Sequence, residues 1–152
     1  MKLFLLSFLL GLILFSSGCV SQSTSNSITL TNVSNSSFVS GIDKVEVIHF
    51  HATRQCYSCI TIGKYAEETM NTYFADELKS GKVSFAHINV DLPENKELAT
   101  KYGAAGASLW IGVYDNGTFS KEENVNVWYK IDNKTGFMSY LKDVIEQKLR
   151  GK

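Results

Sequence analysis

Neither sign of charge is in excess: 15 Lys and Arg stand against 15 Asp and Glu, and the formal net charge is zero. A nucleic-acid-binding chain would carry a basic excess or stripe, so no nucleic-acid partner is expected. Cysteine is scarce. Three are too few for a disulfide-stapled miniprotein, and an odd count asks for an explanation. There is no series of long apolar runs, which excludes a multi-span membrane protein. Glycine-rich phosphate loops are missing too, because Gly103 and Gly106 are too isolated to form one, so no organic cofactor is expected. No internal repeat occurs. What remains is a chain of 152 residues with 44% hydrophobic and 20% charged residues. That is enough for one small folded domain plus a short segment at one end.

The short segment is at the start. Met1-Lys2 is followed by thirteen residues, Leu3 to Phe15, of which only Ser7 is polar. Small residues Ser16-Ser17-Gly18 come next, then Cys19. A charged end, a short apolar run and small residues are the layout of an export signal, and the run is too short for a membrane span of about 20 residues. The cysteine after small residues resembles a lipoprotein signal, although Ser16 stands where an aliphatic residue is usual. That resemblance implies a signal peptide over 1–18, cleavage before Cys19 and lipid on its sulfur. The folded part is then expected at the extracytoplasmic face of the cell membrane, lipid-anchored or held by the uncleaved signal. Cys56 and Cys59 remain as an even pair, and an exported protein can hold such a pair as a disulfide.

Residues 19–41 read as a flexible tether. Ser, Thr and Asn make up 14 of the 22 residues from Val20 to Gly41, with no charge among them. Ile28, Leu30 and Val33 are the only hint of a strand there. A domain is expected over 42–152. Lys44–His51 is rich in β-branched residues and reads as a strand. Cys59–Lys79 reads as one long helix stopped by Gly81, and Val83–Val90 as a second strand. Pro93 suits the first turn of a helix running to Tyr102, closed by Gly103. Leu109–Tyr114, the turn Asp115-Asn116-Gly117-Thr118 and the residues from Phe119 read as a hairpin. Thr135–Leu149 reads as an amphipathic helix. Strands alternating with helices point to an α/β domain with a central mixed sheet. Trp110, Trp128 and Tyr129 are expected to be packing residues.

Cys56-Tyr57-Ser58-Cys59 lies between the first strand and the long helix. At a helix N-terminus, free N–H groups and the dipole favour a thiolate on Cys56. Cys59 then falls in the first turn, placed to resolve a mixed disulfide formed by Cys56. As a mere structural staple, a bridge closing so small a loop constrains the unfolded chain little. Here residues 43–150 resemble the thioredoxin superfamily. Val47–Ala52 is similar to the strand leading to its active site, Phe85–Asp91 to the next strand, Lys101–Gly106 to the turn that returns the chain to the site, and Asp115-Asn116-Gly117 to the late hairpin. Phe50–Cys59 and Tyr73–Leu78 resemble a narrower group within it. That group is labelled by association with nitrophenyl-compound nitroreductase or arsenical genes, beside a thiol-transporting membrane protein. The resemblance implies a thioredoxin-like fold and a thiol-disulfide oxidoreductase acting on disulfides or dithiols of extracytoplasmic proteins, with a membrane thiol-transfer protein as electron donor. Three departures stand out. Ser108 occupies the position of the usual cis-proline, so a trans bond is expected at Ala107–Ser108. One extra residue separates Phe50 from Cys56. His49 sits where thioredoxins bury an acidic proton acceptor.

His49 and His51 are two apart and so share one face of a strand, with His87 on the expected neighbouring strand. Three readings are open. A histidine takes the proton from Cys59 during exchange, since a pKa near ~6.5 suits that task. Alternatively, His49 or His51 joins Cys56 and Cys59 in a zinc or Cu(I) site, making the chain a metal-binding module or chaperone. Or the histidines only pack. Arg54 and Lys64 flank the dithiol as cations or as plain solvated side chains, and Tyr57 offers an aromatic face to a partner or to water. The candidate catalytic residues are Cys56, Cys59, His49 and His51, with no resident metal assigned. A subunit that keeps the fold without turnover is the remaining option.

Overall fold

The computed structural model describes residues 41–152. The expected signal peptide over 1–18, Cys19, the Ile28–Val33 segment and all of the tether except Gly41 lie outside the described residues.

A four-stranded sheet forms the centre. Its strands are β1 (Ile42–His51), β2 (Val83–Asn89), β3 (Ser108–Asp115) and β4 (Thr118–Glu123), in spatial order β2-β1-β3-β4. β1 runs parallel to β2 and antiparallel to β3, and β3 pairs antiparallel with β4. The parallel pair is joined through α1 (Tyr57–Tyr73) and α2 (Ala75–Ser80); α3 (Lys96–Tyr102) follows β2 and α4 (Lys134–Leu149) closes the chain. This is a mixed sheet flanked by helices, the α/β arrangement expected from the sequence.

β1 is central, and its alternating side chains feed two cores. Val45 and Val47 face one way and pack with Ile62, Ala66 and Met70 of α1 and with Phe137, Leu141 and Ile145 of α4. Ile48 and Phe50 face the other way and pack with Ala99 and Tyr102 of α3. His49 and His51 have the odd parity of Val45 and Val47, so they lie on the α1 side of the sheet. His87 has the parity of Val83 and Phe85 on β2 and stands directly opposite His49 in the parallel register. The three histidines therefore share one face by register alone.

The helices obey local rules. Ile62, Ala66 and Met70 form a buried stripe at i, i+4, i+8 along α1. Gly81 and Gly103 close α2 and α3 in the left-handed conformation, at φ 77° and 78°. The hairpin turn has positive φ at both Asn116 (48°) and Gly117 (77°), as a two-residue turn matching strand twist requires.

Several details differ from the sequence reading. The long helix starts earlier, at Tyr57, and breaks at Phe74, whose φ of −129° and ψ of 28° leave the helical region. Phe74 is buried in the core, so packing its ring overrides continued helix. The segment after Pro93 opens as a 3-10 turn over Pro93–Asn95 before α3 begins. A further 3-10 turn, Val125–Lys130, was not anticipated. It turns Val127 into the core but leaves Tyr129 87% exposed, so Tyr129 is not the packing residue expected. Trp110 and Trp128 do pack, one against each core. Among the described residues there is no cis peptide bond, so Ala107–Ser108 is trans as expected. No described helix is long and apolar enough to cross a membrane.

Candidate functional site

Cys56 is the N-cap of α1, in extended conformation, and its sulfur accepts a hydrogen bond from Cys59 N–H at 3.1 Å. The helix thus spends one of its free N–H groups on the Cys56 sulfur. Cys56 and Cys59 are joined as a disulfide, with their Cα atoms 5.1 Å apart. Cys56 is exposed, and Cys59 is half-buried.

The loop from Ala52 to Gln55, which carries the dithiol, is tied to the end of β2. Thr53 N–H donates to Asp91 Oδ2 at 2.8 Å, and Asn89 Nδ2 donates to Thr53 Oγ1 at 3.0 Å. The Thr53 N–H, with help from its hydroxyl, holds the Asp91 carboxyl below its ordinary range. Asn89 and Asp91, at the end of β2 and just beyond it, therefore tether the cysteine loop. Ser108 is buried, donating its hydroxyl to Gly106 C=O at 3.1 Å and accepting from Trp110 Nε1 at 3.0 Å.

On the α1 side, His49 is only 2% exposed. Its Nδ1 lies 2.9 Å from Nδ1 of His87, a distance that requires one nitrogen to donate and the other to accept. Its Nε2 is the one buried side-chain N or O among the described residues without a hydrogen-bond partner. Burial first, then the His87 and His51 rings, push the His49 pKa down to about 4, opposed only by the Cys59 backbone carbonyl. His49 is therefore neutral at neutral pH. A mid-helix glycine makes the room: a Cβ at Gly63 would come within 2.5 Å of His49 Nδ1 and 2.6 Å of its Cε1. Gly63 is one turn beyond Cys59, so both lie on the helix face that meets the His49 ring.

His51 is half-buried, stacks on His49 with ring centres 5.6 Å apart, and engages Ala52 C=O through Nδ1 at 3.0 Å. His87 meets His49 edge-on at 5.2 Å, and its outer Nε2 lies 3.5 Å from Glu67 of α1. These side chains, with Gly63 and Lys64, line a groove of about 260 Å³ beside the dithiol.

All four sequence-predicted site residues thus fall in one neighbourhood, at the C-terminal end of β1 and the start of α1. Two further residues were missed as site members. His87 was noted only as a neighbour, and Glu67 gave no signal because its role depends on helix phase against β2. Lys64 reaches the groove, whereas Arg54 is exposed on the loop. No group of three His, Cys, Asp or Glu donors among the described residues converges at metal-binding geometry.

No family model and no curated protein matches the chain. Among solved structures it is similar to thioredoxin O2 from Arabidopsis thaliana in the oxidized state, at 19% identity and TM-score 0.43, over 69% of this chain and 75% of that one. It is similar to Fasciola hepatica thioredoxin at 22% identity and TM-score 0.41, over 71% and 84%. It is also similar to a thioredoxin from Thermus thermophilus at 17% identity and TM-score 0.39, over 67% and 74%. Each is a likeness of fold.

Proposed function

We propose that the chain is an extracytoplasmic, membrane-tethered thiol-disulfide oxidoreductase acting on protein disulfides or dithiols. The observation that carries the chemistry is the Cys56–Cys59 disulfide at the N-terminus of α1, next to a buried neutral histidine with an unpartnered nitrogen. In the reducing direction, Cys56 thiolate attacks a substrate disulfide and one substrate sulfur leaves as thiolate. Cys59 then gives its proton to His49 as base, and the Cys59 thiolate attacks Cys56 Sγ. The second substrate sulfur leaves and takes a proton from water. Two electrons have passed from the dithiol to the substrate, and the Cys56–Cys59 bond has formed.

Support for a macromolecular substrate comes from the rim. Tyr57 and Ile60, both in the first turn of α1, are 80% and 53% exposed beside the cysteines. Exposed aromatic and aliphatic surface next to a reactive group suits contact with another polypeptide. Support for the location comes from residues 1–19 and the uncharged Ser/Thr/Asn-rich stretch that follows. The narrower resemblance of Phe50–Cys59 and Tyr73–Leu78 supports a membrane thiol-transfer protein as electron donor.

Equilibration of the full chain with glutathione buffers gives the reduction potential. A donor-fed reductant is expected near about −270 mV, and a value near about −120 mV would remove the role of such a donor. Tight metal binding by the reduced protein, with failure to reoxidise, would favour the metal-binding alternative instead.

A further inference from the structure

We propose that the 3-10 turn over Val125–Lys130 is a docking arm for the substrate polypeptide, and that Val125 and Tyr129 on it select segments whose disulfide lies among exposed apolar residues, as in an unfolded chain. The inference rests on the oxidoreductase reading and deepens it by naming a substrate class.

Large apolar side chains are exposed unevenly. Among the described residues they are Tyr57, Ile60, Tyr73, Leu92, Val125 and Tyr129. Tyr57 and Ile60 stand in the first turn of α1, beside the cysteines. Leu92 lies just past the end of β2, where Val90 N–H donates to His51 C=O at 2.8 Å. Val125 and Tyr129 follow β4, which ends level with the start of β3: Glu123 pairs with Trp110, and Asn124 N–H donates to Leu109 C=O at 2.7 Å. Leu109 in turn sits opposite His49 on β1. All but Tyr73, at the far end of the 17-residue α1, are therefore at the end of the sheet that carries the dithiol.

The turn displays its apolar residues from a fixed base. Val127 is fully buried, and Trp128 packs against the same core. Asn124, at the foot of the turn, is buried, and its Oδ1 accepts from the Tyr140 hydroxyl of α4 at 2.9 Å. The Lys130 ammonium lies 4.7 Å from the centre of the Tyr140 ring. Between these anchors Tyr129 is 87% exposed and Val125 51%. An aromatic residue held out by a pinned turn offers contact area with little ordering left to lose on binding, which is how interface anchors gain affinity. The occupant follows from the reaction. Cys56 is exposed at this same end, so whatever covers it must bring a disulfide to its sulfur. Charge does not choose among such partners, because the ionic side chains here have both signs, Arg54 and Lys64 against Asp91 and Glu123. Apolar contact is left to select, and a polypeptide shows apolar residues beside its disulfide when they are not buried in a core of its own.

The test sets the reduced full chain against 5,5′-dithiobis(2-nitrobenzoate), a peptide disulfide flanked by Phe and Leu, and the same peptide with Ser and Gly in their places. Wild type is expected to reduce the apolar peptide faster than the polar one. Tyr129→Ser and Val125→Ser, both at exposed positions, are expected to lower the second-order rate constant for the apolar peptide roughly fivefold more than that for the small disulfide. The preference for the apolar peptide over the polar one should shrink with it. Tyr73→Ser, at the far end of α1, should leave all three rates at the wild-type value. If Tyr129→Ser and Val125→Ser reduce the apolar peptide at the wild-type rate, the docking arm is overturned. It is also overturned if Tyr129→Ser abolishes a dimer on size exclusion, because a second copy of the chain would then be the occupant. Failure of wild type to reduce even the small disulfide would remove the oxidoreductase reading, and the proposal with it.

Discussion

A histidine in a protein core is cheap to bury only while it stays neutral. His49 shows this at the residue scale: burial, reinforced by His87 and His51, lowers its pKa from 6.5 to about 4. Its folded pKa lies below its unfolded one, so between those values the unfolded chain binds the extra proton. Stability is therefore fully present above pH 6.5 and is lost as pH falls toward 4. The loss amounts to at most roughly 3.5 kcal/mol, at about 1.4 kcal/mol per unit. Urea unfolding of wild type and His49→Gln across this range checks it, since the variant should lose distinctly less. The residue scale was also where the sequence was most legible. Cys56, Cys59 and the shared face of His49 and His51 follow from spacing. Their link to His87 needed the strand register, which no local pattern carries.

At the scale of elements, α1 governs the site. It offers Cys56 as its cap, Cys59 in its first turn and Gly63 beneath the His49 ring. Glycine in a helix interior ordinarily costs about 1 kcal/mol relative to alanine. Here the exchange should go the other way. A Cβ 2.5 Å from His49 Nδ1 must displace a ring held between β1, β2 and the helix. Gly63→Ala is expected to destabilise the protein by roughly 1–3 kcal/mol and to slow resolution by Cys59. A lower denaturant midpoint with an unchanged slope would register the first effect. Strand and helix order was readable because apolar periodicity switches cleanly between 2 and 3.6 along the chain. The break at Phe74 was not, because Ala75–Ser80 continues with helix-forming residues and only the demand for the Phe74 ring in the core interrupts them. Tyr129 misled for the opposite reason: an aromatic residue next to buried Val127 looks like packing until the 3-10 turn points it outward.

At the scale of the described domain, a central sheet covered on both faces places the cysteine pair and the three histidines at the end where β1 meets α1. Glu46 lies on the opposite face of β1, only partly buried. Although burial works against its charge, bonds from Lys44, Tyr102 and Tyr114 keep its carboxyl ionised below the usual range. The dithiol and the proposed membrane attachment lie in separate stretches of the sequence, and each is testable without the other. Cys19→Ala should release the protein from the membrane fraction if lipid on Cys19 is the anchor, while exchange by Cys56 and Cys59 continues. Retention in the membrane fraction would instead favour an uncleaved signal as the anchor. The most direct test of the central claim is a trap. Cys59→Ser, reduced and mixed with a protein disulfide, should accumulate a covalent mixed disulfide through Cys56, seen by mass under non-reducing conditions, and Cys56→Ser should accumulate none. Equal trapping by both variants would contradict the assignment of Cys56 as the attacking thiol, and trapping by neither would contradict the oxidoreductase account as a whole.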